Sequence, residues 1–414
     1  MTGTAAGVLA RAVALGEISE EPGRLTRRFA TGALRAAGDL VGEWMAAAGM
    51  EVRRDDAGNV VGRYAGTGGD ARPPFVLGSH LDTVPGAGRY DGVLGVLVSV
   101  AVVERLVTRS ERLAFPLEVA AFADEEGARF GVAYLGSTAY AGLFEPAWLH
   151  LVDESGTTVT DAVRSLGDDP DALLRASQPT LSGYLEVHIE QGPVLEHEDL
   201  PVGVVTAISG RTRASIGLRG QAGHAGTLPM PWRRDALAAA AEAVLAVEEI
   251  GGREDGLVAT VGMLSVEPGA ANVVPGAATF SLDVRHVDDR ARGRATGQML
   301  EVISRIAATR QVELDWEVLH ETPAVAMAPW LRERLAEAIG AEGLRATSLV
   351  SGAGHDAVVL ARVCDAAMLF VRCAGGISHD PRESVDEGDV AVASDVVERF
   401  LLGAGLATPS PETR

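Results

Sequence analysis

The sequence predicts an α/β protein in two parts: a larger domain on residues 1–208 and 326–414, built on a parallel sheet, and a small antiparallel domain inserted at 209–325. Two observations predict the larger part. Short apolar runs bounded by Gly, Pro or acidic residues occur at 75–78, 117–123, 184–189 and 367–371, and helix-length segments such as 92–107 separate them. Strands buried on both faces read as continuous apolar runs of this length, as in sheets covered by helices. A third observation predicts the insertion: between about 208 and 323 the pattern changes to a period-two alternation.

Taken in order, residues 25–50 carry Leu34, Leu40, Val41, Trp44 and Met45 at helical spacing, which predicts an amphipathic surface helix. The four apolar runs and the helix at 92–107 then give the α/β alternation. In the insertion, Ala214, Ile216 and Leu218 oppose Arg213, Ser215 and Arg219 across the strand 213–220. Phe280, Leu282 and Val284 oppose Ser281, Asp283 and Arg285 in 278–285, and Leu314 and Trp316 oppose their acidic neighbours in 312–318. Half-exposed antiparallel strands have this signature. With a fourth strand at 257–266 and helices at 235–250 and 289–310, the order is β-α-β-β-α-β, a ferredoxin-like split unit. The tail at 407–414 is expected to be frayed.

With 414 residues the chain is long enough for two to three domains, and its charge of −21 disfavours nucleic acid and anionic lipid as partners. The longest apolar stretch, 93–103, is about half of the roughly 20 residues a spanning helix needs. No secretory signal is visible near the N-terminus, so a cytoplasmic location is expected. The two cysteines, Cys364 and Cys373, make no disulfide framework and are expected to be buried free thiols.

Chemistry concentrates in four clusters that each follow a predicted strand. The first is Gly78-Ser79-His80-Leu81-Asp82, with Asp91-Gly92 beyond it. His80 can ligate a metal while Asp82 orients its imidazole, although a loop histidine and an N-capping Asp91 would look the same. The second, Asp124-Glu125-Glu126-Gly127, sets three adjacent carboxylates that repel one another unless cations or donors compensate. In the third, Glu186, His188 and Glu190 share one face of a strand. The fourth is Gly375-Gly376-Ile377-Ser378-His379. Open α/β sheets place ligands at the carboxyl ends of their strands. Together the clusters can hold two divalent cations bridged by a carboxylate and a water whose pKa falls toward about 7. One of Glu125 and Glu126 would ligate and the other act as base; the residues alone do not choose.

His80-Leu-Asp82 with Asp91-Gly92, Asp124-Glu125-Glu126-Gly127, His188-Ile-Glu190-Gln191-Gly-Pro193 and Ser378-His379 resemble the dinuclear metallohydrolases related to aminoacylase and the zinc exopeptidases. More narrowly they resemble the branch holding allantoate amidohydrolase, N-carbamoyl-L-amino-acid hydrolase and β-ureidopropionase, over nearly the whole chain. The resemblance implies a zinc-exopeptidase-like catalytic domain carrying an inserted dimerisation and lid domain. It implies two divalent ions per subunit, Zn²⁺ or Mn²⁺ with Co²⁺ or Ni²⁺ also suited. His80, Asp91 and His188 would hold one ion and Asp91, Glu126 and His379 the other, with Asp91 as the bridge. Glu125 would be the general base and Asp82 would support His80.

The resemblance further implies that His224, in Gly220-Gln-Ala-Gly-His224-Ala-Gly-Thr227, reaches the partner subunit's active site in a homodimer. Gln191, Asn272 and Gly354 match substrate-contact positions. Arg285, on the polar face of its strand, has the planar fork that suits a substrate carboxylate. His355 is expected to be a structural residue at a helix start, and His150, His197, His286 and His320 to lie on the surface. Arg211 and the 85–91 loop depart from the branch pattern without touching a ligand position. The expected activity is metal-dependent hydrolysis of the ureido C–N bond of allantoate, because residues 122–136 and 184–208 resemble that subgroup most. N-carbamoyl-L-amino acids or N-carbamoyl-β-alanine are the alternative substrates. A non-catalytic metal-binding protein and an exopeptidase are the competing classes; the Glu125 base argues against the first, and the Gln191 and His224 motifs against the second.

Overall fold

The computed structural model describes residues 3–68 and 72–403, and the tail expected to be frayed at 407–414 lies outside them. The chain is mixed α/β and divides into two compact units, Met1–Thr206 with Met327–Arg414, and Ala207–Ala326.

The first unit is organised by a nine-stranded sheet. Its centre is four strands, β3 (Phe75–His80), β4 (Leu117–Phe122), β5 (Gly183–Ile189) and β16 (Ala366–Val371), every residue of which is buried. They pair in parallel in the order β4-β3-β5-β16. These are the four apolar runs of the sequence. The sheet as a whole is not parallel, because short antiparallel strands extend both edges. On one side lie β1 (Glu51–Arg54) and β2 (Val60–Tyr64), with β2 pairing β4. On the other lies β6 (Val202–Ile208), which pairs β16 and carries β15 (Ser348–Ser351). Helix α3 (Val93–Thr108) is apolar almost all round and buried along 13 of its positions, so it is a core helix rather than a surface one.

The helix expected over 25–50 begins only at Gly32, with Thr31 capping it through its hydroxyl, and it packs Leu34, Val41 and Met45 into the core. Residues 25–31 are withheld from it because their backbone is bonded elsewhere. Thr83 N donates to Arg27 O, Arg27 N donates to Thr83 Oγ1, and Gly86 N donates to Leu25 O. Arg27 completes the join: fully buried, it donates to the carbonyls of Leu81, Leu15 and Ile18. Burial pulls its pKa down to about 10, with the charge of Asp82 opposing the fall.

The second unit has its own core, in which Ala214, Ile216, Leu218, Phe280, Leu282 and Val284 meet the buried faces of helices Ala236–Gly251 and Asp289–Arg310. The sheet order is β10 (Leu264–Glu267), β12 (Ala277–His286), β7 (Gly210–Arg219), β13 (Glu313–Thr322). The single strand expected over 257–266 is two short ones, β9 (Val258–Thr260) and β10, both antiparallel to β12. Between them Met263 N turns to the Ser281 side chain, an interruption of the ladder typical of edge strands. A separate two-stranded ladder joins β8 (Gly223–His224) to β11 (Val273–Val274). Among the described residues no helix is long and apolar enough to cross a membrane.

Removing the Arg27 side chain strands three buried carbonyls and leaves a void. Arg27→Ala is therefore expected to destabilise the protein by about 3 kcal/mol or more, measured by urea unfolding.

Candidate metal centre

All the predicted ligand positions of the first unit gather at the carboxyl edge of the four central strands. His80 ends β3 and His188 stands one residue from the end of β5, while Glu126 and His379 lie in the loops after β4 and β16. Asp91 arrives from the turn before α3, and Gly92 at φ 67° makes that turn possible, since a Cβ there would lie 2.5 Å from the His80 ring. Glu383 holds the turn from the opposite side, accepting from Tyr90 N at 2.7 Å and Asp91 N at 3.1 Å.

Asp91 is the common point. Its Oδ1 lies 3.1 Å from His188 Nε2 and 3.8 Å from His80 Nε2. Its Oδ2 lies 3.1 Å from His379 Nε2, which is 3.3 Å from Glu126 Oε1. Two donor groups result, His80–Asp91–His188 and Asp91–Glu126–His379. Each buried imidazole turns Nδ1 to a backbone carbonyl, His80 to Asp82 O at 3.1 Å and His188 to Ile189 O at 2.9 Å. With the proton on Nδ1, each Nε2 lone pair faces a carboxylate oxygen, an arrangement that repels unless a cation stands between them. Donors about 2.0–2.1 Å from a tetrahedral ion lie roughly 3.4 Å from one another, within the 3.1–3.8 Å range found here. The donor set therefore fits two divalent cations sharing Asp91.

Where no cation is bound, protons on the imidazole Nε2 atoms take its place in the same contacts. Burial pushes the Asp91 carboxyl up, but hydrogen bonds and charge from His188, His379 and His80 outweigh it and hold the group well below the usual carboxylate range. His379, drawn by Asp91 and Glu126, rises to about 10, and burial lifts Glu383 to about 7. His80 and His188 are buried, whereas the His379 side chain is 49% exposed, so the two groups differ in access to solvent.

Glu125 is buried beside the ligands, and burial first, then the negative charges of Glu126, Asp356 and Asp82, push its carboxyl well above the usual range despite His80. A carboxyl so placed holds a proton more readily than one in water, which suits a group that shuttles protons. Its backbone is fixed by Asp82, whose two oxygens accept from Glu125 N at 2.9 Å and Glu126 N at 3.2 Å. Asp82 thus ties the acidic loop to the His80 loop as well as facing His80 itself, with Oδ1 at 3.4 Å from Nδ1. Gln191, at φ 55°, donates through Nε2 to Asp91 Oδ2 and Ser378 Oγ. Gly354 lies close enough that a Cβ there would be 3.9 Å from Glu125 Oε1.

The remaining three predicted contacts belong to the second unit. The β8–β11 ladder sets His224 opposite Val273, and Ala225 N donates to Asn272 O at 2.9 Å, so His224 and Asn272 are neighbours. His224 is exposed, and its Nδ1 accepts from Gly226 N. Arg285 does not join them; its guanidinium is paired with Asp283 on its own strand, at 2.7 and 3.1 Å. His355 is buried, bonded to Ser351 Oγ and packed on the His188 ring before the helix Ala357–Leu360. His150, His197 and His320 are exposed, but His286 is not on the surface as expected. It is buried at the end of β12, where its two ring nitrogens engage Asp288 and Asp255 O. Cys364 and Cys373 are buried, and neither is in a disulfide.

Two functional positions escaped the sequence reading. Glu383 carries a lone acidic signal four residues past His379. Asn59, in the turn Asp55-Asp-Ala-Gly-Asn59, is fully buried and accepts from Ala123 N while donating to Asp55 Oδ2 and Gly136 O. It clamps the start of the acidic loop. The Asp-x-x-Gly-Asn turn was its only signal. Asn59→Ala leaves Ala123 N–H, Gly136 C=O and an Asp55 oxygen without partners in the interior, and a loss of about 2–4 kcal/mol in urea unfolding is expected.

The geometry can be set beside known proteins. Residues 76–403 match the model of peptidase family M20/M25/M40. The chain is 39% identical to a probable allantoate deiminase of rice (Oryza sativa subsp. japonica), over 94% of this chain and 86% of that one. It is 41% identical to an N-carbamoyl-L-amino acid amidohydrolase of Geobacillus stearothermophilus, over 94% and 95%. A crystal structure of an amidase of the hydantoinase/carbamoylase family from Burkholderia multivorans superposes with a TM-score of 0.90 at 35% identity, over 96% of this chain and 97% of that one. The chain belongs to peptidase family M20/M25/M40 and, within it, to the amidohydrolases of non-peptide carbon–nitrogen bonds.

Proposed function

We propose that the protein hydrolyses the ureido C–N bond of allantoate, releasing ammonia and carbon dioxide. The observation that carries this reading is the Asp91 carboxylate shared by two sets of donors with Glu125 buried beside them. The 39% identity to a relative named for allantoate supports the substrate. An N-carbamoyl-L-amino acid is the second reading, supported by the 41% identity to the Geobacillus amidohydrolase.

In this scheme His80, Asp91 and His188 hold one divalent cation and Asp91, Glu126 and His379 a second, Zn²⁺ or Mn²⁺, with Co²⁺ and Ni²⁺ also suited to the donors. When bound, the pair supplies positive charge that lowers the pKa of an attacking water and polarises the ureido carbonyl. Glu125 takes the proton from the water and passes it to the leaving nitrogen, its buried position beside the two donor groups placing it for both transfers. Asp82 keeps Glu125 in place through the backbone amide. Gln191, its amide nitrogen engaged by Asp91 and Ser378, offers its carbonyl oxygen to the substrate, and Gly354 lines the same space.

We read the inserted unit as a ferredoxin-like dimerisation and lid domain. His224 and Asn272 then serve the site of a second copy, with His224 stabilising the charge that develops on the carbonyl oxygen. Arg285 grips the substrate carboxylate in exchange for part of its pairing with Asp283. Exposed apolar side chains on this unit, Met230, Trp232, Val258, Met263 and Leu264, support an interface there.

Ammonia release from allantoate, N-carbamoyl-β-alanine, N-carbamoyl-L-amino acids and dipeptides, after loading with Mn²⁺ or Zn²⁺, tests the reading. Turnover of allantoate above the others is expected, chelation is expected to abolish it, and no turnover of any ureido compound overturns the reading. Glu125→Gln is expected to keep its metal content, measured by atomic emission, and to lose at least about a hundredfold in kcat. Coexpression of Glu125→Gln with His224→Ala chains is expected to restore activity that neither homodimer has, because one site of the mixed dimer then has both groups intact.

A further inference from the structure

The outer face of the inserted sheet carries a concentration of positive charge of which the scheme above uses only Arg285. On β7, Arg211 and Arg213 alternate with the buried Thr212 and Ala214, so both guanidiniums rise from the face turned away from the core. The antiparallel register with β12 sets Arg211 opposite Arg285 and Arg213 opposite Asp283. On the other side of β7, a register shift at 318–320 sets His320 of β13 opposite Arg213. These neighbouring positions therefore combine three guanidiniums with one carboxylate, in a chain whose net charge is −21.

The carboxylate is divided between two of the three. Asp283 accepts from Arg285 Nε at 2.7 Å and Nη2 at 3.1 Å, and from Arg213 Nε at 2.9 Å. Burial raises its carboxyl, but the hydrogen bonds from Arg285 and Arg213 outweigh that and hold it below the usual range. Arg211 stands directly across the ladder from Arg285 instead, a like-charge pair that is unfavourable in itself. The charge of this region is felt at His320, whose pKa is lowered by burial first and then by Arg211 and Arg213. A guanidinium has five N–H donors in a fixed fork, so a contact within the sheet and a contact with an anion do not exclude each other.

We propose that Arg211 is a specificity-determining residue that binds the substrate carboxylate jointly with Arg285. This inference rests on the reading of the protein as a ureido hydrolase in which Arg285 meets that carboxylate. In that reading the substrate must draw Arg285 from part of its pairing with Asp283. A lone guanidinium that exchanges one carboxylate for another gains little, because the two pairings are alike. Arg211 tips the exchange. Directly opposed residues have Cβ atoms about 4.5–5.5 Å apart, within the span of two arginine side chains, so one anion can be gripped by both forks. An anion between them also offsets their mutual repulsion, whereas a neutral group in its place does not. The pair thus selects ureido compounds that carry a carboxylate over those that do not.

The test compares wild type, Arg211→Gln and Arg219→Gln on the best ureido substrate and on the same compound with its carboxylate converted to a carboxamide. Arg219 projects from the same face of the same strand, opposite Ala277 and Glu313, so its variant controls for the loss of one positive charge. The carboxamide is measured as a substrate or, where it is not turned over, as a competitive inhibitor, and thermal midpoints serve as folding controls. Arg211→Gln is expected to raise KM for the carboxylate about tenfold with kcat held within about twofold, and to change the carboxamide value less than about twofold. Arg219→Gln is expected to move neither compound by more than about twofold. Arg211→Lys keeps the charge without the fork, and is expected to raise the same KM about threefold with the carboxamide unchanged. Equal effects of the Arg211 variants on the two compounds, no effect on either, or an equal loss from Arg219→Gln overturn the inference. A wild-type protein inactive on every ureido compound overturns the underlying reading instead.

Discussion

A single buried carboxylate, Asp91, is the constraint on which the arrangement of the first unit depends. Three imidazole nitrogens from three chain segments lie within 3.8 Å of its oxygens. A carboxylate so deeply buried is costly unless it is compensated. The surrounding architecture brings that compensation: parallel strands that end side by side, α3 starting where Asp91 must stand, and Glu383 and Gln191 bonded to the turn and to the carboxylate. The buried imidazoles of His80 and His188 have their Nδ1 atoms committed to the main chain, so their Nε2 atoms turn toward Asp91. The acidity of the chain is therefore concentrated inward as well as spread over the surface.

The neighbouring acidic loop meets a different demand, three successive carboxylates placed without mutual repulsion. Hydrogen bonds divide their surroundings. Asp82 takes the main-chain amides of Glu125 and Glu126, Asn59 takes that of Ala123, and Asp124 accepts from Leu135 N. Burial pushes Asp124, like Glu125, well above the usual carboxylate range. Glu126 alone of the three reaches the cation-binding edge beside His379. Adjacent residues of one chemical type thus acquire separate tasks from their surroundings.

Much of this was legible in the sequence because burial on both faces leaves an unmistakable apolar run, and the four central strands fell where such runs stood. The edge strands were not legible. β1 and β2 are short and half-buried, and β6, β14 (Val325–Ala326) and β15 owe their pairing to distant partners rather than to a local pattern. The helix expected to begin at residue 25 starts at Gly32 because the 81–86 loop claims the intervening backbone, a tertiary effect that periodicity cannot register. In the site, His80, His188 and His379 announced themselves through strand-end position and residue type, whereas the bridging part of Asp91 came from the family resemblance. Asn59 and Glu383 did not, since the fold alone brings Ala123 and Gly136 to the one and the 90–91 turn to the other. The expectation of surface positions for unassigned histidines failed at His286 for the same reason: its buried hydrogen bonds reach Asp255, thirty-one residues away.

Asp91 and His379 are separated by 288 residues, yet they stand 3.1 Å apart. No local segment carries more than part of either donor group, and the last of them follows the final strand of the central sheet. A cation therefore cannot organise the early chain in the way it organises a small zinc module, because its ligands converge only after the long-range strand pairings have formed. His379 is the last of these donors in the sequence, and the first group, His80–Asp91–His188, precedes it entirely. The second donor group is thus completed only when the segment after the last central strand has joined the sheet, on pairings that sheet and helix packing must secure.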